Sequence, residues 1–327
     1  MILKKDLATI ILFAVLFITP FGLHAQTVND LSLGVTPSLP GAYEGVEIRL
    51  SSYSVDLSRS QIIWYVNDVS KAEETGLTTF KTKTGALGKP ITVRASVKTQ
   101  SGSKFSRSIT FVPAEVDIVW SAHTYTPPFY KGKALASSES LIRLYAIANI
   151  VDSNGKRLTP NQLTYNWEQD GIRLGKISGV GKDGAVLQAL PVPNARSYIT
   201  VTVSKTGSSL QAKNTLVVRT ANPAALFYEK HPLEGSRYNK ALTAFEFPKG
   251  EATIRIEPYF FSLDDVQNKK IEYQWFINNK VTTPSDNNQE LTLRHENDAR
   301  GLARIIATIT NHSRLVQDAE NNLNINF

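Results

Sequence analysis

Few residues in this chain are of the types and at the spacings that do chemistry. Its five histidines (His24, His123, His231, His295 and His312) lie far apart, and none forms the His-x-x-x-His or His-Glu-x-x-His spacing of a metal site. Gly175-Lys-Ile-Ser-Gly-Val-Gly-Lys182 has the look of a phosphate-binding loop. Its glycine spacing is one residue too long, and Asp183 stands where serine or threonine is needed. Ser178 within it lacks the Gly-x-Ser-x-Gly elbow of a nucleophile. Asp264-Asp265, Asp152 and Asp170 could serve calcium, yet no Asp-x-Asp-x-Asp run accompanies them, and they read as solvated loop acids. The absence of cysteine removes thiolate chemistry, cysteine-ligated metals and disulfides. The expectation is a non-enzymatic protein with no catalytic residue, cofactor or metal.

Binding chemistry is better represented. The stretch His123-Thr-Tyr-Thr-Pro-Pro-Phe-Tyr-Lys131 carries Tyr125, Phe129 and Tyr130 beside two prolines. Rigid, amphipathic aromatic area of this kind suits a sugar or a peptide. Phe227-Tyr-Glu-Lys-His-Pro-Leu233 with Tyr238 repeats the pattern about 110 residues later, the spacing of a domain repeat. Two readings follow. Tyr125, Phe129, Tyr130 and Tyr238 form a candidate binding surface, or the two loops pack over a sandwich edge and seal a junction between domains.

The elements that position these loops are strands. Ile62–Asp68, Leu163–Asp170 and Ile271–Asn278 each place one tryptophan (Trp64, Trp167, Trp275) in an apolar-alternating run, at intervals of about 105 residues. A period of that size means a tandem array of one small β domain, with each tryptophan in a structural core. Val46–Leu50 alternates apolar and charged residues, and Ile91, Val93, Ala95 and Val97 share one face of another strand. Polar clusters at 100–103, 152–155 and 205–208 supply the turns. The predicted class is all-β: three tandem antiparallel sandwiches at 27–113, 114–220 and 221–327, with linkers of a few residues near Pro113 and Asn222-Pro223. Linkers that short imply a semi-rigid rod.

An alternating strand, then Tyr- or Ile-x-Trp, then Asn67-Asp68, Asp170-Gly171 or Asn278-Asn279, then glycine and a paired strand resembles bacterial immunoglobulin-like domains of the polycystic-kidney-disease (PKD) type. The first unit fits best: Pro40-Gly41 ahead of Val46–Leu50, Trp64–Asn67, and Thr92–Val97 closing on Gly102. The resemblance covers 27–327 in three copies; the second and third depart from it in their long aromatic-proline lead-ins. It implies an immunoglobulin-like fold, an extracellular or envelope location, and interaction work of the sort done by surface proteins, adhesins, pilus-linked proteins and spacers of secreted hydrolases. It implies no catalytic residues.

Residues 1–25 read as a signal peptide: Lys4 and Lys5, an apolar run from Leu7 to Phe17 broken only by Thr9, then Pro20, Gly22 and Ala25 before Gln26. The expected location is the cell envelope, the periplasm or the exterior, with no membrane span once the signal is cleaved. Hydrophobic content of 42% and charge of 20% describe a folded protein and exclude a disordered one. The net charge is +7, concentrated in the first two units. Dispersed basic residues on an exported chain argue against nucleic acid and leave envelope or surface proteins, and anionic or neutral glycans, as partners. The leading expectation is a scaffold or protein-interaction module associated with adhesion, a pilus or secretion; the alternative is a carbohydrate-binding adhesin that uses the aromatic loops.

Overall fold

The computed structural model describes residues 30–248, 250–284, 287–294 and 300–327; the expected signal segment 1–25 and His295 lie outside them. The fold is all-β, with six sheets that enclose three core clusters. The N-terminal pair uses β1 (Ser32–Thr36), β2 (Gly45–Ser51), β3 (Gln61–Val66), β4 (Val69–Thr75), β5 (Thr79–Lys83), β6 (Ile91–Lys98) and β7 (Lys104–Phe111). The middle pair uses β8 (Glu115–Ala122), β9 (Leu141–Asn149), β10 (Thr164–Gln169), β11 (Ile172–Arg173), β12 (Gly179–Val180), β13 (Gly184–Gln188), β14 (Arg196–Ser204) and β15 (Gln211–Arg219). The C-terminal pair uses β16 (Ala224–His231), β17 (Gly235–Ser236), β18 (Ala244–Glu246), β19 (Glu251–Tyr259), β20 (Ile271–Ile277), β21 (Lys280–Thr282), β22 (Glu290–Arg294), β23 (Leu302–Asn311) and β24 (Asp318–Asn326), plus one short helix, α1 (Leu263–Gln267).

In each pair a sheet ordered β1-β2-β5, β13-β9-β8 or β17-β16-β19-β22 faces one ordered β4-β3-β6-β7, β11-β10-β14-β15 or β18-β24-β23-β20-β21. Pairing among the described strands is antiparallel except for β18 on β24. The sheets interleave because strand alternation puts one parity inside: β6 buries Ile91, Val93, Ala95 and Val97 and leaves Thr92, Arg94 and Ser96 half-buried on the other face.

The tryptophan strand works the same way three times. Trp64, Trp167 and Trp275 are fully buried, and each indole N–H donates to a backbone carbonyl of a downstream loop: Leu77 at 2.9 Å, Lys182 at 2.9 Å and Asn288 at 2.8 Å. The ring fills the space between the sheets while its one polar atom stays satisfied. Three residues on, Asn67, Asp170 and Asn278 begin a two-residue hairpin turn in which both positions have positive φ: Asn67 48° and Asp68 62°, Asp170 51° and Gly171 80°, Asn278 46° and Asn279 63°. That is the left-handed pair a tight hairpin requires, and asparagine, aspartate and glycine are the residues that tolerate it. The first side chain also pins the neighbouring strand, accepting from the amides of Thr92 at 2.9 Å, Tyr198 at 2.8 Å and Arg304 at 2.9 Å.

A second recurrence closes the middle and C-terminal sandwiches. Asn214 on β15 donates to the Val116 carbonyl on β8, and Asn321 on β24 to the Ala225 carbonyl on β16, each at 2.7 Å. The N-terminal sandwich meets the middle one where the Ala42 amide donates to Glu115 at 2.8 Å and the Gly88 amide to the Pro113 carbonyl at 3.0 Å. Gly88 has φ of 71°, and a Cβ there would sit 2.2 Å from Val151 Cγ2, so the close approach needs glycine.

Candidate functional site

The segment between β8 and β9 leaves the middle sandwich and lies along the C-terminal one. The Tyr125 amide donates to the Phe261 carbonyl at 2.7 Å and the Phe260 amide to the Tyr125 carbonyl at 2.8 Å. His123 Nε2 meets Asp264 Oδ1 at 2.8 Å. These contacts bring the segment over the outer face of the sheet that holds β16 and β19.

β19 turns Ile254 and Ile256 into the core, so Arg255, Glu257 and Tyr259 stand on the outer face. An ordinary strand would give that face to water. Here Glu257 is 0% exposed. Its Oε2 accepts the Tyr125 hydroxyl at 2.6 Å, and its Oε1 accepts the Tyr238 hydroxyl at 2.8 Å and Arg255 Nε at 2.5 Å. Arg255 also reaches Glu290 at 2.8 Å and Gln289 at 3.1 Å, and Lys230 reaches Glu290 at 2.6 Å. Two carboxylates therefore face two cations, the condition under which buried charge is tolerated. Burial, then the Glu257 carboxylate, pushes the Tyr125 and Tyr238 phenols up from their ordinary range. Burial opposes the Arg255 charge, but Glu257 outweighs it and holds the guanidinium protonated. Around this cluster the Tyr228 and Tyr259 hydroxyls bond each other at 2.6 Å, and burial raises the Tyr259 phenol too.

The four aromatic residues singled out from sequence therefore do not form one open surface. Tyr125 and Tyr238 are half-buried, with both hydroxyls committed to Glu257. Tyr130 packs edge-on against Tyr259, centroids 5.5 Å apart, and remains 39% exposed. Phe129, at a left-handed φ of 64°, is 89% exposed.

A second set of contacts holds the same junction. Gln317 Oε1 accepts from the Ser262 amide at 3.0 Å and Asn311 Nδ2 at 2.9 Å, while its Nε2 donates to the Ser138 carbonyl at 2.6 Å and the Ser137 hydroxyl at 3.2 Å. The Leu315 amide donates to Glu139 at 2.7 Å. Asp265 corrects the sequence expectation of a solvated acid. It is 3% exposed on α1 and accepts from Arg314 Nε at 2.9 Å and Asn311 Nδ2 at 3.1 Å. Burial alone would raise its carboxyl, but Arg314 and Asn311 hold it below the usual carboxylate range. Ser178 is structural: it accepts from the Trp167 amide at 2.9 Å and donates to the Leu174 carbonyl at 2.8 Å.

Among the described residues no group of three or more His, Cys, Asp or Glu is placed to hold a metal ion, and no helix is long and apolar enough to cross a membrane. In the Glu257 cluster both carboxylate oxygens are taken by donors, so what the arrangement does is fasten one sandwich to the next.

No family model matches the chain, and no curated protein does. Solved structures that resemble it include arrays of fibronectin- or immunoglobulin-like modules. Fibronectin(III)-like modules of Clostridium thermocellum CbhA are 16% identical over 58% of this chain and 94% of theirs, with a TM-score of 0.27. The central fibronectin-III array of RIM-binding protein is 10% identical over 91% and 95%, with a TM-score of 0.29. A Bacteroides ovatus mixed-linkage glucan utilization protein, SGBP-B, solved with a mixed-linkage heptasaccharide, is 13% identical over 90% and 70%, with a TM-score of 0.21. At these scores the likeness carries no functional argument.

Proposed function

We propose that the chain is an exported, non-enzymatic module of a bacterial cell envelope: a signal peptide at 1–25, then three immunoglobulin-like sandwiches of PKD type at 27–113, 114–220 and 221–327, which hold other components at fixed spacing. The observation that carries this reading is the fastening between sandwiches. Glu257 takes a donor from each side of the junction, and Gln317 bonds to both sides. A spacer needs such a joint. A chain of independent binding heads does not, because short linkers alone would tether them. The partners that suit it are envelope or surface proteins of an adhesion, pilus or secretion assembly.

The test is solution scattering of the mature chain together with a cross-linked pull-down from envelope extracts. One fixed arrangement and a specific protein partner support the spacer. A broad distribution of arrangements, or recovery of no protein partner, overturns it. A second reading, an adhesin that stacks sugars on the aromatic loop, is favoured by the exposure of Phe129. Glycan-array binding lost on Phe129→Ala supports it, and binding unchanged by that variant excludes it.

A further inference from the structure

Beside the Glu257 cluster, a cleft of about 440 Å³ opens between the Tyr125 loop and the C-terminal sandwich. Its volume falls within the range of roughly 300–1,000 Å³ typical of small-molecule sites. Tyr125 enters from the middle sandwich, and Arg255, Gln267, Lys269, Tyr273 and Asn287 come from the C-terminal one. The charged residues on this lining are Arg255 and Lys269, with no carboxylate among them. Arg255 is already matched by Glu257 and Glu290. Among the described residues Lys269 makes no ion pair, and its charge is the one on this lining that no described carboxylate matches.

The walls are fixed before any ligand arrives. The Trp275 indole holds the Asn288 carbonyl at 2.8 Å. The Gln289 amide donates to Asn287 Oδ1 at 3.0 Å, and its side chain donates to the Tyr273 hydroxyl at 2.7 Å. By contrast, the Gln267 side chain and the Asn287 Nδ2 group make no hydrogen bond among the described residues. Lys269 also sits at a left-handed φ of 54°, just past the end of α1, where glycine or asparagine would be less strained.

We propose that this cleft binds an anionic pyranose, a uronic-acid residue of a polysaccharide. Tyr125 and Tyr273 on the lining supply aromatic area of the kind that packs against the C–H side of a sugar. Planar amides can donate to and accept from neighbouring hydroxyls. Lys269 meets the carboxylate as a charge-assisted donor. The assignment is independent of the spacer reading and uses a different surface from Phe129.

The experiment is calorimetric titration of the mature chain with trigalacturonate, with cellotriose as the neutral counterpart and sodium acetate as the bare carboxylate. It is run on the wild type, Lys269→Asn and Gln267→Ala. Asparagine tolerates the left-handed backbone, and both residues are exposed, so both variants keep the fold, which the thermal midpoint verifies. The expected result is saturable trigalacturonate binding that weakens about tenfold in Lys269→Asn, the scale of one charge-assisted contact, and severalfold in Gln267→Ala. Cellotriose binds at least about tenfold more weakly than trigalacturonate for the same reason. No trigalacturonate binding, binding unmoved by either variant, equal binding of cellotriose, or an acetate response equal to that of trigalacturonate overturns it.

Discussion

Replacing Tyr125 by phenylalanine removes one oxygen and tests the joint between the middle and C-terminal sandwiches. The ring keeps its packing, and what disappears is the 2.6 Å bond from the phenol to the buried Glu257 carboxylate. A hydrogen bond to a charged group contributes about 1.5–3 kcal/mol, and each 1.4 kcal/mol is a factor of ten, so the opening equilibrium of the junction should rise roughly 10- to 150-fold. Tyr238 and Arg255 still hold Glu257, so the C-terminal sandwich itself stays folded. Hydrogen exchange resolved to single amides is the assay. The Tyr125 and Phe260 amides, which cross the junction to each other's neighbourhood, should exchange faster by that factor. Amides of β3 and β6 in the N-terminal sandwich should not change. If the junction amides keep their wild-type rates, or if every amide in the chain speeds up alike, the reasoning fails.

Four further outcomes are expected. Trp167→Ala should cost about 3–5 kcal/mol, a large part of a domain's roughly 5–15 kcal/mol, and lower the middle sandwich's transition in calorimetry more than the other two; an equal shift of all transitions refutes modular cores. Gly88→Ala should weaken the joint between the N-terminal and middle sandwiches, through the Val151 clash and roughly 1–2 kcal/mol of left-handed backbone cost; scattering that matches the wild type refutes it. The Ser52 and Ser54 hydroxyls, with the Tyr53 and Ser54 amides, hold the Asp30 carboxyl at about 2, so its stabilising effect is complete above about pH 4 and lost as pH falls toward 2. Burial pushes Tyr273 up to about 12, so its contribution is present below about pH 10 and lost as pH rises toward 12. Carbon-detected NMR titration of both groups checks these two values.

The strands and the tryptophan cores are legible because they depend on local alternation. Ile62, Trp64 and Val66 sit two apart, and so do Ile254 and Ile256, whatever lies outside the sheet. The Glu257 cluster is not legible for the same reason. In Ile254-Arg-Ile-Glu257 the charged residues occupy the outward parity, which reads as solvated face; part of their cover comes from a loop 132 positions earlier in the chain, at Tyr125, and the rest from Tyr238 and Glu290. Asp265 is hidden from a sequence reading for the same reason, because Arg314 and Asn311 reach it from 49 and 46 positions later in the chain. A faint signal did exist. Tyr228 and Tyr259 lie at outward positions of β16 and β19, and large aromatic residues on a supposedly wet face hint that something covers it. The matching asparagines at 214 and 321 were also available as a repeat, but an isolated asparagine in a strand carries no periodicity to draw attention.

Gln317 sets an order of events. The serines it holds, Ser137 and Ser138, precede it by 180 and 179 positions. The middle module can fold before residue 317 is in place, and until then Ser137 and Ser138 lack the side chain that clasps them. The clasp must therefore be the last part to form, after the final strands have arrived. A chain halted short of residue 317 would lack β24 as well, leaving the C-terminal sandwich open and the clasp unmade.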